Sequence, residues 1–251
     1  MKKNINLDIV LILTLSFFGG LADGFSSIYR DDTFCFIQTG NLVRTIIAYV
    51  QGNVYSATYS LIIFMAFTIF CFVYWFILSW IKKTKIEPKI FSLLIVLILL
   101  IPSVIFKFNK NNYLEADNLM SGIFLSFIGS IIAIAFSKIK INKNNSIVFN
   151  SAIMTGNARA MMVSFATFVK TKNKIKGYES LIYLSIILIF VFGIATSAII
   201  NVYTPDKTWS FYYDLIVIYL VVFISITLLI IRYCKNKKIK VENNQERISL
   251  Q

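Results

Sequence analysis

Two copies of the triplet Thr-Gly-Asn, at 39–41 and 155–157, lie within otherwise apolar sequence. Glycine lets a chain turn sharply, while threonine and asparagine supply hydroxyl and amide groups for hydrogen bonds. An arginine follows each triplet, three residues after Asn41 and two residues after Asn157. Guanidinium groups and the free N–H groups at the start of a helix both attract anions. We therefore expect a binding site for a small polar solute, most favourably an anion, formed by Thr39, Gly40, Asn41, Arg44, Thr155, Gly156, Asn157 and Arg159.

Each of these residues also has a purely structural interpretation. The two triplets could cap each other and close a compact fold, and each arginine could extend to the membrane surface or pair internally. Asp23 is the only acidic residue that we predict deep within a span. It could accept a proton or act as a counter-ion during transport, but we favour a fixed salt bridge with Arg44 that holds the first triplet's segment. We expect the threonine hydroxyls to cap the helices that follow them.

Composition excludes several kinds of chemistry. The chain has no histidine, which rules out imidazole acid–base catalysis, histidine-ligated metals and pH sensing by imidazole. Its cysteines, Cys35, Cys71 and Cys234, are too far apart for a metal motif and odd in number, so no disulfide framework is implied. The predicted spans contain neither paired carboxylates nor a Ser/Lys constellation. We expect no catalytic residues, no metal and no cofactor, and therefore a protein that is not an enzyme.

The elements that must position the triplets are membrane helices. Apolar residues make up 57% of the 251 residues and charged residues 15%, and the apolar residues form long runs. About 20 apolar residues in a helix cross a hydrocarbon core about 30 Å thick. We predict an all-α membrane protein with six spans, at 9–29, 57–81, 90–106, 119–136, 180–200 and 211–231. The two segments that carry the triplets, 33–50 and 146–169, are apolar as well, but neither is typical of a full crossing.

The distribution of lysine and arginine favours two re-entrant segments, because short cytoplasmic loops carry an excess of these residues. If both segments enter and leave on the same side, 19 of these residues lie on the cytoplasmic side and 4 outside; if both segments cross, the split is 14 against 9. The first arrangement places both termini in the cytoplasm. It also assigns the net charge of +13 to loops that contact anionic lipids, so no nucleic-acid partner is expected.

The two halves of the chain match beyond the triplet. LSFFGG at 15–20 corresponds to LSFIGS at 125–130, and YSL at 59–61 corresponds to ESL at 179–181. Each half contains a span, a re-entrant segment and two further spans, so the second half must be inverted relative to the first. Inverted repeats of this kind often place a transport site near the membrane midplane.

A family resemblance is carried by these motifs. GGLADG, with Gly19, Gly20 and Asp23, is followed by Phe36 and the two TGN triplets, and this pattern resembles the YoaK family of bacterial multi-span membrane proteins along nearly the whole chain. The resemblance implies an integral inner-membrane protein with about six spans and no established activity. Where the second half of the family often has a polar Gln-Asn pair, this chain has Ile132 and Ala133. A symmetric polar site would therefore have only one of its two sides here.

These features predict an organisation and a function. We expect repeat one at 1–110, repeat two at 111–233 and a disordered, basic cytoplasmic tail at 234–251 that is attracted to anionic lipid. The function expected is a transporter or channel for a small polar, preferably anionic, solute, with its site where the two Thr-Gly-Asn half-helices meet. The alternative is a membrane scaffold, sensor or assembly factor that transports nothing.

Overall fold

The computed structural model describes residues 7–30, 32–84, 86–106, 114–142, 145–148 and 154–249. Within these ranges the chain forms eight helices and one antiparallel hairpin of two strands. The elements are α1 (Leu7–Tyr29), α2 (Gln38–Val50), α3 (Val54–Ile81), α4 (Pro88–Ile105), α5 (Ala116–Ala135), β1 (Lys138–Asn142), β2 (Asn145–Val148), α6 (Met154–Thr171), α7 (Lys174–Tyr203) and α8 (Lys207–Ser249).

Among the described residues, five helices are long and apolar enough to cross a membrane, namely α1, α3, α5, α7 and the part of α8 at Trp209–Lys235. In α4 the apolar stretch, Pro88–Pro102, is shorter. Long apolar helices of this kind indicate a membrane protein, as the sequence predicts. The finer arrangement of six spans with two re-entrant segments stays a prediction.

Two turns of similar design join the short helices α2 and α6 to the long helices that follow them. Before α3, Gly52 has φ of +80° and the side chain of Asn53 accepts a hydrogen bond from the backbone of α3. Before α7, Lys172 has φ of +56° and the side chain of Asn173 accepts one from the backbone of α7. In each turn a residue in the left-handed region reverses the chain and an asparagine caps the next helix. Each short helix therefore folds back along the long helix after it.

The helix pairs of the first half of the chain have counterparts in the second half, if α1 to α4 are matched with α5 to α8. α1 packs against α7 and α5 against α3, α2 packs against α3 and α6 against α7, and α4 packs against α5 and α8 against α1. α4 and α8 also contact each other. Small residues allow the closest approach, since Gly20 in α1 lies against the backbone of Phe190 and Gly193 in α7. Apolar side chains of α1, α4, α5 and α8 form the main buried core.

Two parts of the chain differ from the prediction. The segment after α5 is not a loop leading into a re-entrant segment at 146, because it forms a hairpin with Lys138 paired to Val148. The alternating apolar and polar residues of KIKIN favour this strand. The tail from 234 is also not disordered, since α8 continues to Ser249. It contains neither proline nor glycine, and its lysine, glutamate and glutamine residues favour a helix.

Candidate functional site

The segment between α1 and α2 turns back inside the bundle and brings its backbone to Asp23. This aspartate of α1 is 1% exposed, and its Oδ1 accepts a hydrogen bond of 2.6 Å from the backbone N–H of Phe36. A buried backbone N–H without a partner would be costly. Asp23 therefore fixes the backbone of the turn that leads into α2.

The carbonyl groups of the same segment are satisfied by amide side chains. Gln38 Nε2 donates to the carbonyl of Cys35 at 2.8 Å and to that of Phe34 at 3.1 Å. Asn41 Nδ2 donates to the Phe34 carbonyl and to Gln38 Oε1, both at 2.8 Å, and Asn41 Oδ1 accepts from the Phe34 N–H at 2.8 Å. Non-helical backbone at membrane depth is stable only when such partners exist. Asn41 is thus fully buried as part of the turn and does not line an open site.

The turn lies close to the middle of two neighbouring helices. The Sγ of Cys35 donates to the carbonyl of Leu125, near the midpoint of α5, at 2.8 Å. The ring of Phe36 packs edge-on against Phe18, near the midpoint of α1, with centroids 5.8 Å apart. Gly129 of α5 lies directly against the carbonyl oxygen of Cys35. The start of α2 is therefore far from both ends of these two helices.

The predicted salt bridge between Asp23 and Arg44 is wrong. Arg44 Nη2 donates to Ser56 Oγ at 3.2 Å, and Nη1 lies 3.8 Å from Asp32 Oδ2. Asp23 instead meets the backbone of Phe36. The reason is geometric, because Arg44 lies more than one turn into α2, whereas Asp23 contacts the turn before this helix. Asp23 does hold the segment of the first triplet in place, but it does so through a hydrogen bond with the backbone of Phe36.

A cavity of about 650 Å³ lies beside α2 and the start of α3. Its apolar lining includes Phe34, Val43 and Ile47. Its polar lining includes Asp32, Thr39, Arg44, Gln51, Asn53 and Ser56, and Gly40 also contributes. Ligand sites in proteins commonly have this size, with a mostly apolar wall and a few polar groups. Three of the predicted site residues, Thr39, Gly40 and Arg44, thus share one cavity.

Thr39 does not cap α2 as predicted. Ile37 is the N-cap residue and makes no side-chain capping bond, and Thr39 lies inside the first turn with an exposed side chain. Gly40 has a packing role, because a Cβ at this position would lie 2.8 Å from the ring of Phe34. The residues of the first triplet therefore have different roles. Thr39 and Gly40 line the cavity, and Asn41 fixes the turn.

The second triplet has different surroundings. Asn157 is buried and its Nδ2 contacts the sulfur of Met154 at 3.7 Å, where the first half has Gln38 in the corresponding position. Gly156 and Arg159 are exposed on α6. The predicted segment before the triplet, 149–153, and the side chain of Thr155 lie outside the described residues. Neither Gly156 nor Asn157 lines the cavity beside α2, and α6 packs on α7 while α2 packs on α3.

Sequence reasoning missed two buried charged residues. Asp23 is not the only buried acidic residue, because Asp214 of α8 is 0% exposed and accepts a hydrogen bond of 2.7 Å from Ser197 of α7. Asp214 was missed because it lies within a run of mostly apolar residues. Arg30, predicted in an outer loop, is buried and donates to the carbonyl of Phe106 at 2.9 Å. Burial lowers the pKa of Arg30 to about 10, so it remains charged at neutral pH.

Comparison with known proteins places the chain in a family. Residues 11–227, from α1 to well into α8, match the model of a family described as a protein of unknown function (DUF1275). No curated protein and no solved structure matches the chain. The resemblance to YoaK proteins stays a prediction, since the description of the matched family does not carry that name. With both triplets, Asp23 and the cavity residues inside the matched region, the chain belongs to the DUF1275 family of unknown function.

Proposed function

We propose that this protein is a transporter or channel for a small polar solute that carries an anionic group, and that the solute binds in the cavity beside α2. One observation carries the proposal: the guanidinium of Arg44, with 19% of its side chain exposed, faces a cavity that Thr39 and Gly40 also line. The surrounding hydroxyl and amide groups of Ser56, Gln51 and Asn53 can bind the rest of a polar solute.

The position of Arg44 supports an anionic ligand group. An arginine near the membrane interior is costly, by about 2.5 to 3.5 kcal/mol at a helix centre on insertion scales, and it normally faces a cavity or a partner. Arg44 has both, since Asp32 and Ser56 contact it and the cavity adjoins it. Its planar group can bind a carboxylate or phosphate through two parallel hydrogen bonds.

The proposal includes an inverted internal repeat, and helix packing supports it. Exchange of α1 with α5, α2 with α6, α3 with α7 and α4 with α8 converts each of the main helix pairs into another observed pair. The turns at Gly52–Asn53 and at Lys172–Asn173 also correspond, at the spacing that relates YSL to ESL. Under this proposal Thr155, Gly156, Asn157 and Arg159 form the opposite side of the pathway, and the protein lies in the cytoplasmic membrane with both termini inside.

Flux through reconstituted vesicles tests the function. Proteoliposomes that contain the wild type, Arg44→Gln or Lys170→Gln are compared for uptake of labelled small carboxylates, amino acids and inorganic phosphate. Lys170 is a matched control, because it is an exposed cation near the end of the other half-helix. We expect the wild type and Lys170→Gln to take up at least one solute above protein-free vesicles, and Arg44→Gln to lose about tenfold or more of that rate. Equal rates in all three would remove Arg44 from the pathway, and rates equal to protein-free vesicles would favour the scaffold or sensor.

A further inference from the structure

The cavity beside α2 presents two opposite charges to the same space. Arg44 and Asp32 both line it, and the nearest nitrogen and oxygen of the two groups are 3.8 Å apart. Direct hydrogen bonds between a guanidinium and a carboxylate are shorter, about 2.7 to 2.9 Å. The two groups therefore attract each other across the edge of the cavity without closing it.

Other side chains hold both groups in place. Ser56 Oγ accepts from Arg44 Nη2 at 3.2 Å, and Ser27 Oγ donates to Asp32 Oδ1 at 3.1 Å. Asp32 also has φ of +52°, in the left-handed region, which aspartate adopts more readily than most residues other than glycine. The carboxylate of Asp32 thus has a defined position at the rim, although 76% of its side chain is exposed.

This charge pair discriminates between classes of solute. A simple anion would gain the attraction of Arg44 but would meet the repulsion of Asp32, and a simple cation would meet the reverse. A solute with a carboxylate and an ammonium group a few bonds apart can bind both residues at once. Its carboxylate then takes the place of Asp32 beside Arg44, and its ammonium group takes the place of Arg44 beside Asp32. Repulsion of solutes that carry a single charge is a common source of specificity.

We infer that the solute is a small zwitterion of the α-amino acid type, with its carboxylate on Arg44 and its ammonium group on Asp32. This inference rests on the proposed function, because it assigns a chemical class to the solute of the same cavity. Arg44 supplies most of the affinity, since it is the less exposed of the two groups, and Asp32 supplies the discrimination.

The test compares three matched ligand mixtures: the L-amino acids with uncharged side chains, their N-acetyl derivatives, which keep only the negative charge, and their carboxamides, which keep only the positive charge. Binding to the purified protein is measured by the shift of its unfolding temperature with ligand concentration. We expect the free amino acids to bind about tenfold more tightly than either derivative. Asp32→Asn should abolish the preference over the N-acetyl derivatives, and Arg44→Gln the preference over the carboxamides.

Arg44→Lys keeps the positive charge and serves as a second variant if Arg44→Gln does not fold. We expect this variant to keep the preference for free amino acids over the carboxamides. If the N-acetyl derivatives bind the wild type as tightly as the free amino acids, the zwitterion assignment is overturned while a solute-binding cavity remains. If none of the three mixtures shifts the unfolding temperature, both the assignment and the proposed binding site are overturned.

Discussion

At the scale of single residues, two buried carboxyl groups of this chain have different surroundings. Asp23 accepts a hydrogen bond from the backbone N–H of Phe36 in the turn before α2, whereas Asp214 accepts one from a side chain, the hydroxyl of Ser197. A backbone N–H that donates to a buried carboxyl group has a partner in place of the water that burial removes, so this bond holds the turn against α1. Asp23 is therefore best understood as a group that fixes the turn before α2.

Substitution of Asp23 tests this structural role. Asp23→Ala removes every acceptor for the N–H of Phe36, whereas Asp23→Asn keeps one carbonyl oxygen. Loss of a hydrogen bond to a charged group costs about 1.5 to 3 kcal/mol. We expect Asp23→Ala to lower the unfolding temperature in detergent clearly more than Asp23→Asn does. Asp117→Ala, at an exposed acidic position in α5, is the control and should have little effect. Equal stability of all four proteins would show that the carboxyl group does not hold the turn.

Access of water to Thr39 tests the cavity at the same scale. In a background with Cys71→Ser and Cys234→Ser, the buried Cys35 is the remaining native thiol. We expect Thr39→Cys to react with a small water-soluble thiol reagent, because this side chain is exposed within the cavity. Thr68→Cys, exposed on the apolar surface of α3, is the matched control and should react at least about tenfold more slowly, since a thiolate is disfavoured in lipid. Similar rates at the two positions would contradict an aqueous cavity.

At the scale of helices, glycines in α5 set how closely this helix approaches its neighbours. A Cβ at Gly129 would collide with the carbonyl oxygen of Cys35, which is backbone and cannot move without displacing the turn. A Cβ at Gly122 would meet the end of the Ile63 side chain and, at 2.8 Å, the hydroxyl of Tyr59. Side chains can change rotamer, so the second contact is easier to relieve.

The two glycines therefore predict unequal effects of the same substitution. Gly129→Ala should destabilise the protein by about 1 to 3 kcal/mol through overpacking. Gly122→Ala should be close to neutral, because the roughly 1 kcal/mol that alanine gains over glycine in a helix offsets the rearrangement of Ile63. Unfolding temperatures of the two variants in the same detergent measure the difference. A larger loss in Gly122→Ala would contradict the close contact between α5 and the turn.

At the scale of the whole molecule, the orientation of α3 decides whether the first triplet's segment is re-entrant. α3 has 28 residues, which is about 42 Å of helix and enough to cross a membrane. Gln51 lies just before it and Lys83 just after it, and both are exposed. Because α3 crosses the membrane, these two positions lie on opposite sides. If α2 returns to the side from which its segment entered, Lys83 lies in the cytoplasm.

Labelling of intact cells tests this orientation. In the background lacking Cys71 and Cys234, Gln51→Cys should react with a membrane-impermeant thiol reagent added outside, and Lys83→Cys only after the cells are opened. Protein recovered from the membrane fraction in equal amounts provides the control for folding. Reaction of Lys83→Cys from outside, with the N-terminus in the cytoplasm, would show that the segment at 33–50 is an ordinary crossing. The two halves would then not be inverted relative to each other.

Properties of individual segments could be predicted from the sequence. Span length depends only on a local run of apolar residues, so five of the six predicted spans correspond to long apolar helices and the other to the shorter α4. The sharp turn expected at Gly40 is wrong, because Gly40 and Asn41 lie inside α2 and the non-helical turn precedes them. The hairpin and the helical tail were missed, although local strand and helix preferences favoured both.

The sequence alone determined that this chain forms apolar membrane helices with two Thr-Gly-Asn segments between them, because hydrophobicity and turn preference act over neighbouring residues. Only the tertiary structure decided which groups meet. Asp23 binds the backbone of Phe36 and not Arg44, and Arg44 shares a cavity with Asp32. Such partners depend on the faces that distant helices turn toward each other, which packing of the whole bundle sets.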